Sequence, residues 1–126
     1  MNPCRKDIRP EIKGINTILN KSVEERFQNE TLRPIIKLQH DLLVAYFKEY
    51  LLTKKFRFDE VSNIKKNEFL TTAFKKDNSL KIELRGIVIG QFTTDEFAIY
   101  RTKKSDFNKR IMAMIQQRIF SLIALF

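Results

Sequence analysis

The sequence predicts an all-α fold: a single-domain helical bundle of five or six helices around a long central helix. Three observations carry that prediction. Gly and Pro number only three each in 126 residues, so long stretches run unbroken and a turn-rich β-sandwich is disfavoured. The stretch Thr31–Lys54, TLRPIIKLQHDLLVAYFKEYLLTK, is apolar around most of a helical wheel. The C-terminal stretch places Phe107, Ile111, Met114, Ile115, Ile119, Leu122 and Phe126 on one broad stripe.

In the central stretch Thr31 suits an N-cap, and Pro34 falls in the first turn, where no intrahelical N–H is needed. At about 1.5 Å per residue the helix would run roughly 35 Å, near the diameter of a small domain. Arg33, Lys37, Asp41 and Lys48 share one narrow stripe, and apolar residues such as Leu42, Leu43, Phe47 and Leu51 dominate the rest. A helix lying on one layer of neighbours needs an apolar arc only a little wider than about 100°. This arc is far wider. The helix is therefore expected to be surrounded on most sides, by its own chain, by a second copy, or by both.

Residues 1–20 read as an N-terminal arm and residues 21–126 as the helical domain. The arm holds two of the three prolines and Gly14, and spaces Ile8, Ile12, Ile15, Ile18 and Leu19 so that it can lie on the body. Ser22-Val-Glu-Glu25 is a capping-box pattern that starts a short helix to about Asn29. The central helix follows, or continues it through a kink at Pro34. Phe56–Asn63 is a connection in which Asp59 or Ser62 can cap the next helix. That helix turns Ile64, Phe69, Leu70, Ala73 and Phe74 inward and Lys65, Lys66, Lys75 and Lys76 to water, and Asp77-Asn-Ser79 ends it.

Leu80–Gln91 carries two signals. Alternation of Leu80, Ile82 and Leu84 with charges, and the β-branched run Ile87-Val-Ile89, suit a strand. Leu80, Leu84, Ile87 and Val88 also fit one helical face. No second strand is evident, and a lone strand leaves its backbone unpaired, so helix is the reading here. Gly86 and Gly90, four apart, would then let another helix approach closely. Thr93-Thr-Asp-Glu96 is a second capping box, opening a short helix to about Thr102. Ser105 or Asp106 caps the last helix.

The formal charge is +9, from 24 Lys and Arg against 15 Asp and Glu. It permits attraction to nucleic acid, anionic lipid or an acidic partner, but a solvated, soluble surface is the favoured account of it. Cys4 is the single cysteine, which excludes an internal disulfide and a multi-cysteine metal site and fits a reducing cytoplasm. No apolar run reaches the roughly 18 residues of a membrane span. The N-terminus has no apolar h-region, so no signal peptide is expected.

His40 is the only histidine, with no second ligand at metal-binding spacing, so neither a metal nor a cofactor is expected. No nucleophile elbow or Gly-rich phosphate loop occurs. The pairs Glu24/Glu25 and Asp95/Glu96 sit in helix first turns, where capping explains them. A pocket built from His40, Tyr46 and Glu49 would leave no sequence signature. Arg85–Arg101 can be laid on a helix-turn-helix with Gly90 at the turn. Against that, Glu96 stands where an apolar residue belongs, and Asp95-Glu96 would meet phosphates at the end entering the groove. Arg101, Lys103, Lys104, Lys109 and Arg110 form a candidate anion or nucleic-acid patch. Gln39 and Arg118 project from within apolar stripes, as candidates to fix register at a helix–helix seam.

Two runs, Asn29–Leu43 and Gly86–Phe97 followed by Asn108–Met114, resemble a group of small, uncharacterised all-helical bacterial proteins. The resemblance covers most of the chain from Asn29 and implies an all-helical fold. Some members carry an automatic glyoxalase label. That activity needs several His and Glu metal ligands on a βαβββ pattern, and neither is present here. The resemblance supplies no catalytic residues. The functional expectation is a non-enzymatic cytoplasmic protein acting through self-association or a protein partner, with nucleic-acid binding through a basic surface as the alternative.

Overall fold

A computed structural model describes Ile8, Arg9 and residues 22–122. Seven α-helical segments and no strand occur among the described residues. They are α1 (Val23–Phe27), α2 (Arg33–Leu38), α3 (His40–Thr53), α4 (Asn63–Lys76), α5 (Asn78–Ile89), α6 (Thr94–Tyr100) and α7 (Lys104–Ser121). The all-α bundle predicted from sequence is the observed architecture. Most of the arm, including Cys4, Ile12, Ile15, Ile18 and Leu19, lies outside the described residues, as does Phe126.

The central helix is not one rod. It runs on from α1 through a π-helical turn, Gln28–Leu32, into α2, and breaks at Gln39 (φ −90°, ψ 10°) before α3. Thr31 is buried inside the π turn and caps nothing. The wide turn has a local cause. Pro34 has no N–H to give and its ring crowds the carbonyl four residues back, which a π turn accommodates. Helix α3 ends where Lys55 adopts φ 56°, with Phe56 N–H reaching Leu51 O and Lys55 N–H reaching Leu52 O. This is the paired bonding of a Schellman cap, built on Lys rather than Gly.

The other ends follow local chemistry. Ser22 accepts from Glu25 N–H, Ser62 from Lys65 N–H, and Asp77 from Leu80 N–H. Thr93 and Glu96 form a complete capping box. Helix α7 departs from expectation. It starts at Lys104, straight after a 3₁₀ turn over Arg101–Lys103, so Ser105 and Asp106 sit inside its first turn and neither caps it.

Helix α7 packs against α4, α5 and the π turn, and buries Phe107, Ile111, Ile115 and Ile119 completely. One aromatic group joins Phe27, Phe92, Tyr100 and Phe107. A second joins Phe47, Phe56, Phe58, Phe69 and Phe74, with Phe56 and Phe69 stacked at 4.0 Å. The stripe on α4 is rotated from the expected one. Ile64 is 72 % exposed, while Lys66 is buried with its ammonium 5.7 Å from the Phe58 ring centre. Lys66, Leu70 and Phe74 recur every four residues, and Ile64 falls well off that line. The lysine stem fills the seam and its charge rests on the ring.

Gly86 does not admit a neighbouring helix. A Cβ there would meet nothing within 4 Å, and one at Gly90 would meet only the Gly86 carbonyl. Leu80, Leu84 and Val88 form the inward face of α5 and turn Gly86 to solvent.

Candidate functional site

The flanks of α7 carry the basic chemistry. Its core stripe leaves one shoulder facing α5 and the other facing the π turn and α2. Lys104 and Lys109 lie on the first shoulder. With Lys81 and Arg85 of α5 they line a cleft of about 730 Å³ that includes Phe74 and Met112. The second shoulder lines a cleft of about 600 Å³ with Arg33, Lys37, His40 and Arg118. No carboxylate lines either cleft among the described residues.

The five cations of the sequence patch do not share one surface. Lys104 and Lys109 enter the first cleft. Arg101 is exposed at the end of α6. Lys103 pairs with Glu24 of α1, whose hydrogen bond draws the Glu24 carboxyl below its usual range and raises the Lys103 ammonium. Arg110 donates to Gln28 Oε1 at 2.7 Å, on the opposite shoulder from Lys109. One residue along a helix is a turn of about 100°, which separates Lys109 from Arg110.

Gln39 and Arg118 each bridge helices within the chain. Gln39 Nε2 donates to the Ile87 carbonyl at 3.3 Å, tying the α2–α3 break to α5. Arg118 Nη1 lies 3.2 Å from His40 Nδ1. A guanidinium only donates, so Nδ1 is the acceptor in this contact. Burial first, and Arg33 second, lower the pKa of Arg118. His40 lies at least about 120° around α3 from Tyr46 and Glu49, which sit one turn apart on another side, so the three do not converge. Among the described residues no three of His, Cys, Asp and Glu come together.

The helix-turn-helix region has helices where that reading places them, α5 and α6 around Gly90. The exposed residues of α6 are Thr94, Asp95, Phe97, Ala98 and Ile99, none of them basic, which suits a phosphate backbone poorly. Glu96 is buried. Arg9 grips it with both nitrogens, at 2.6 and 2.9 Å, and also donates to the Gln91 carbonyl. Both side chains are 5 % exposed. Sequence reasoning missed Arg9, because nothing local marks a pairing across 87 positions.

The outward face of α3 is the other exception. Leu42 is 50 % exposed, Leu52 is 72 % exposed, and Ala45 lies open between them. The expectation that this helix is enclosed on most sides fails within one chain. Leu43, Phe47 and Leu51 fill the inward face, and no described element covers the other. No described helix is long and apolar enough to cross a membrane. Compared with family models, characterised proteins and solved structures, the chain shows no match.

Proposed function

We propose that this is a non-enzymatic, cytoplasmic helical protein that works by association, and that the outward face of α3 takes a second copy of the chain. The observation that carries the reading is the row Leu42, Ala45, Glu49 and Leu52, spaced three, four and three along one exposed face. That is the spacing of a helix–helix seam. An antiparallel pair through it is self-complementary. Leu42 meets Leu52 of the second copy, and Ala45 meets its Glu49. Helix α3 has fourteen residues, or about 21 Å, so one seam buries less than the roughly 800 Å² per partner of a standard interface. Association is therefore weak and concentration-dependent. Light scattering on a sizing column, from about 1 to 300 μM, tests it. A mass rising toward twice 15.0 kDa is expected. A constant monomer mass over that range would end the proposal.

A second reading rests on the α5–α7 cleft, where Lys81, Arg85, Lys104 and Lys109 gather around Phe74 and Met112. Such a groove suits a nucleic-acid backbone, bound more weakly as salt rises. An electrophoretic shift titrated with salt separates the two readings. Binding at low salt that Lys104→Gln with Lys109→Gln removes favours nucleic acid, and no shift at low salt discards it.

A further inference from the structure

The cleft between α7, the π turn and α2 sets three permanent cations around a half-buried floor. Arg118 lies at its centre. One bond is seen from its guanidinium, to His40 Nδ1, and that partner brings no negative charge. Arg33 and Lys37 stand one turn apart on α2, on the same side. Arg110 adds a fourth cation behind Gln28, holding that amide by its oxygen and leaving its NH₂ as a donor. Folding thus brings Arg33 and Arg118 together with no carboxylate between them among the described residues. Like charges held near each other in a partly desolvated site cost stability, unless an anion joins them. Helix α3 adds His40 to the wall, and Ile36 and Met114 supply an apolar side.

We propose that this cleft is a binding site for a small phosphorylated molecule, its phosphate dianion held by Arg118 and Arg33 and its body lying along Ile36 and Met114. Several features fit. Arg118 is positioned by its bond to His40, and an oriented guanidinium suits bidentate phosphate contact. Arg33 and Lys37 are exposed at the mouth, where they attract a dianion from solution. A volume of about 600 Å³ is within the usual range for small-molecule sites. The site stands apart from both the α3 face and the α5–α7 cleft, so neither earlier reading is needed for it.

The test is thermal unfolding at pH 7.5 with inorganic phosphate, then with adenosine monophosphate, each against potassium chloride of equal ionic strength. The midpoint is expected to rise with both anions and not with chloride, and adenosine monophosphate is expected to bind tighter than phosphate. Arg118→Gln and Arg33→Gln should each weaken binding at least about tenfold. Lys104→Gln, on the opposite shoulder, should leave it unchanged. Arg33 is exposed, so Arg33→Gln keeps the fold and decides the matter if Arg118→Gln does not fold. A rise no larger than that from chloride, or one that survives Arg33→Gln, would overturn the site. So would equal loss in Lys104→Gln, which would show general charge screening instead.

Discussion

Helices α3 and α7 each bury an apolar face, and they differ in how much of their apolar surface the fold covers. Helix α7 lies against α4, α5 and the π turn, and its stripe from Phe107 to Ile119 is sealed. Helix α3 buries Leu43, Phe47 and Leu51 and leaves Leu42, Ala45 and Leu52 in water. The difference teaches that apolar width on a wheel measures how many neighbours a helix can use, not how many its own chain supplies. The shortfall on α3 is what the proposed second copy would cover.

Truncation probes the contrast most strongly. Ile111→Ala should cost about 3–4 kcal/mol, because a sealed site keeps the cavity. Leu52→Ala, at concentrations where the chain is monomeric, should cost no more than about 0.5 kcal/mol. Denaturant unfolding of the two variants checks this, and comparable losses would erase the distinction between the helices. Arg9→Ala comes next. It takes the guanidinium away from the buried Glu96 carboxylate in the first turn of α6 and should cost about 3 kcal/mol. Adding Glu96→Gln should recover part of that loss by removing the buried charge. A cost below about 1 kcal/mol for Arg9→Ala would mean the arm is not held at α6.

A smaller effect than that of Arg9→Ala concerns the polar anchor of α3. Tyr50 Oη donates to Asp77 Oδ2 at 2.7 Å, linking α3 to the α4–α5 junction. Burial, then the Asp77 hydrogen bond, pushes the Tyr50 hydroxyl up to about 12 from 10.0. The same bond lowers Asp77 below 3.8. The tyrosine binds its proton more tightly in the folded chain, so its contribution is complete below pH 10 and disappears toward pH 12. Asp77 contributes fully above pH 3.8, and that contribution fades as the pH falls through its lowered folded value. Tyr50→Phe should cost about 1 kcal/mol at neutral pH and flatten both limbs of the stability profile. Tyr100, also raised mainly by burial, leaves some alkaline loss in the variant. An unchanged profile in Tyr50→Phe would show that α3 does not depend on this bond.

Much of the fold was legible because its signals are local. Ser22, Ser62 and Thr93 cap where their spacing predicts, since a cap needs only the next three residues. The residues from 80 to 89 are helical because Leu80, Leu84 and Val88 make one buried face and no strand is available to pair. The illegible parts depend on what stands opposite. A wheel gives the spacing of a stripe but not which side meets the core, so Ile64 and Lys66 exchanged places and Gly86 turned outward. Pro34 announced a disturbance without saying that a π turn would absorb it. The cations near α7 were visible in sequence. Their division between two shoulders was not, because it depends on where Phe107 and Ile111 bury. The second basic cleft needed Arg33 and Arg118 to meet across 85 positions, which only the fold brings about.

The most direct measurement is sedimentation equilibrium of the wild-type chain beside the Leu42→Glu, Leu52→Glu double variant. Both positions are exposed, so unfolding at low concentration should match the wild type within about 0.5 kcal/mol. A wild-type mass that climbs with concentration while the variant stays at 15.0 kDa is the predicted result. Equal self-association in both proteins would place the contact elsewhere and contradict the account of α3.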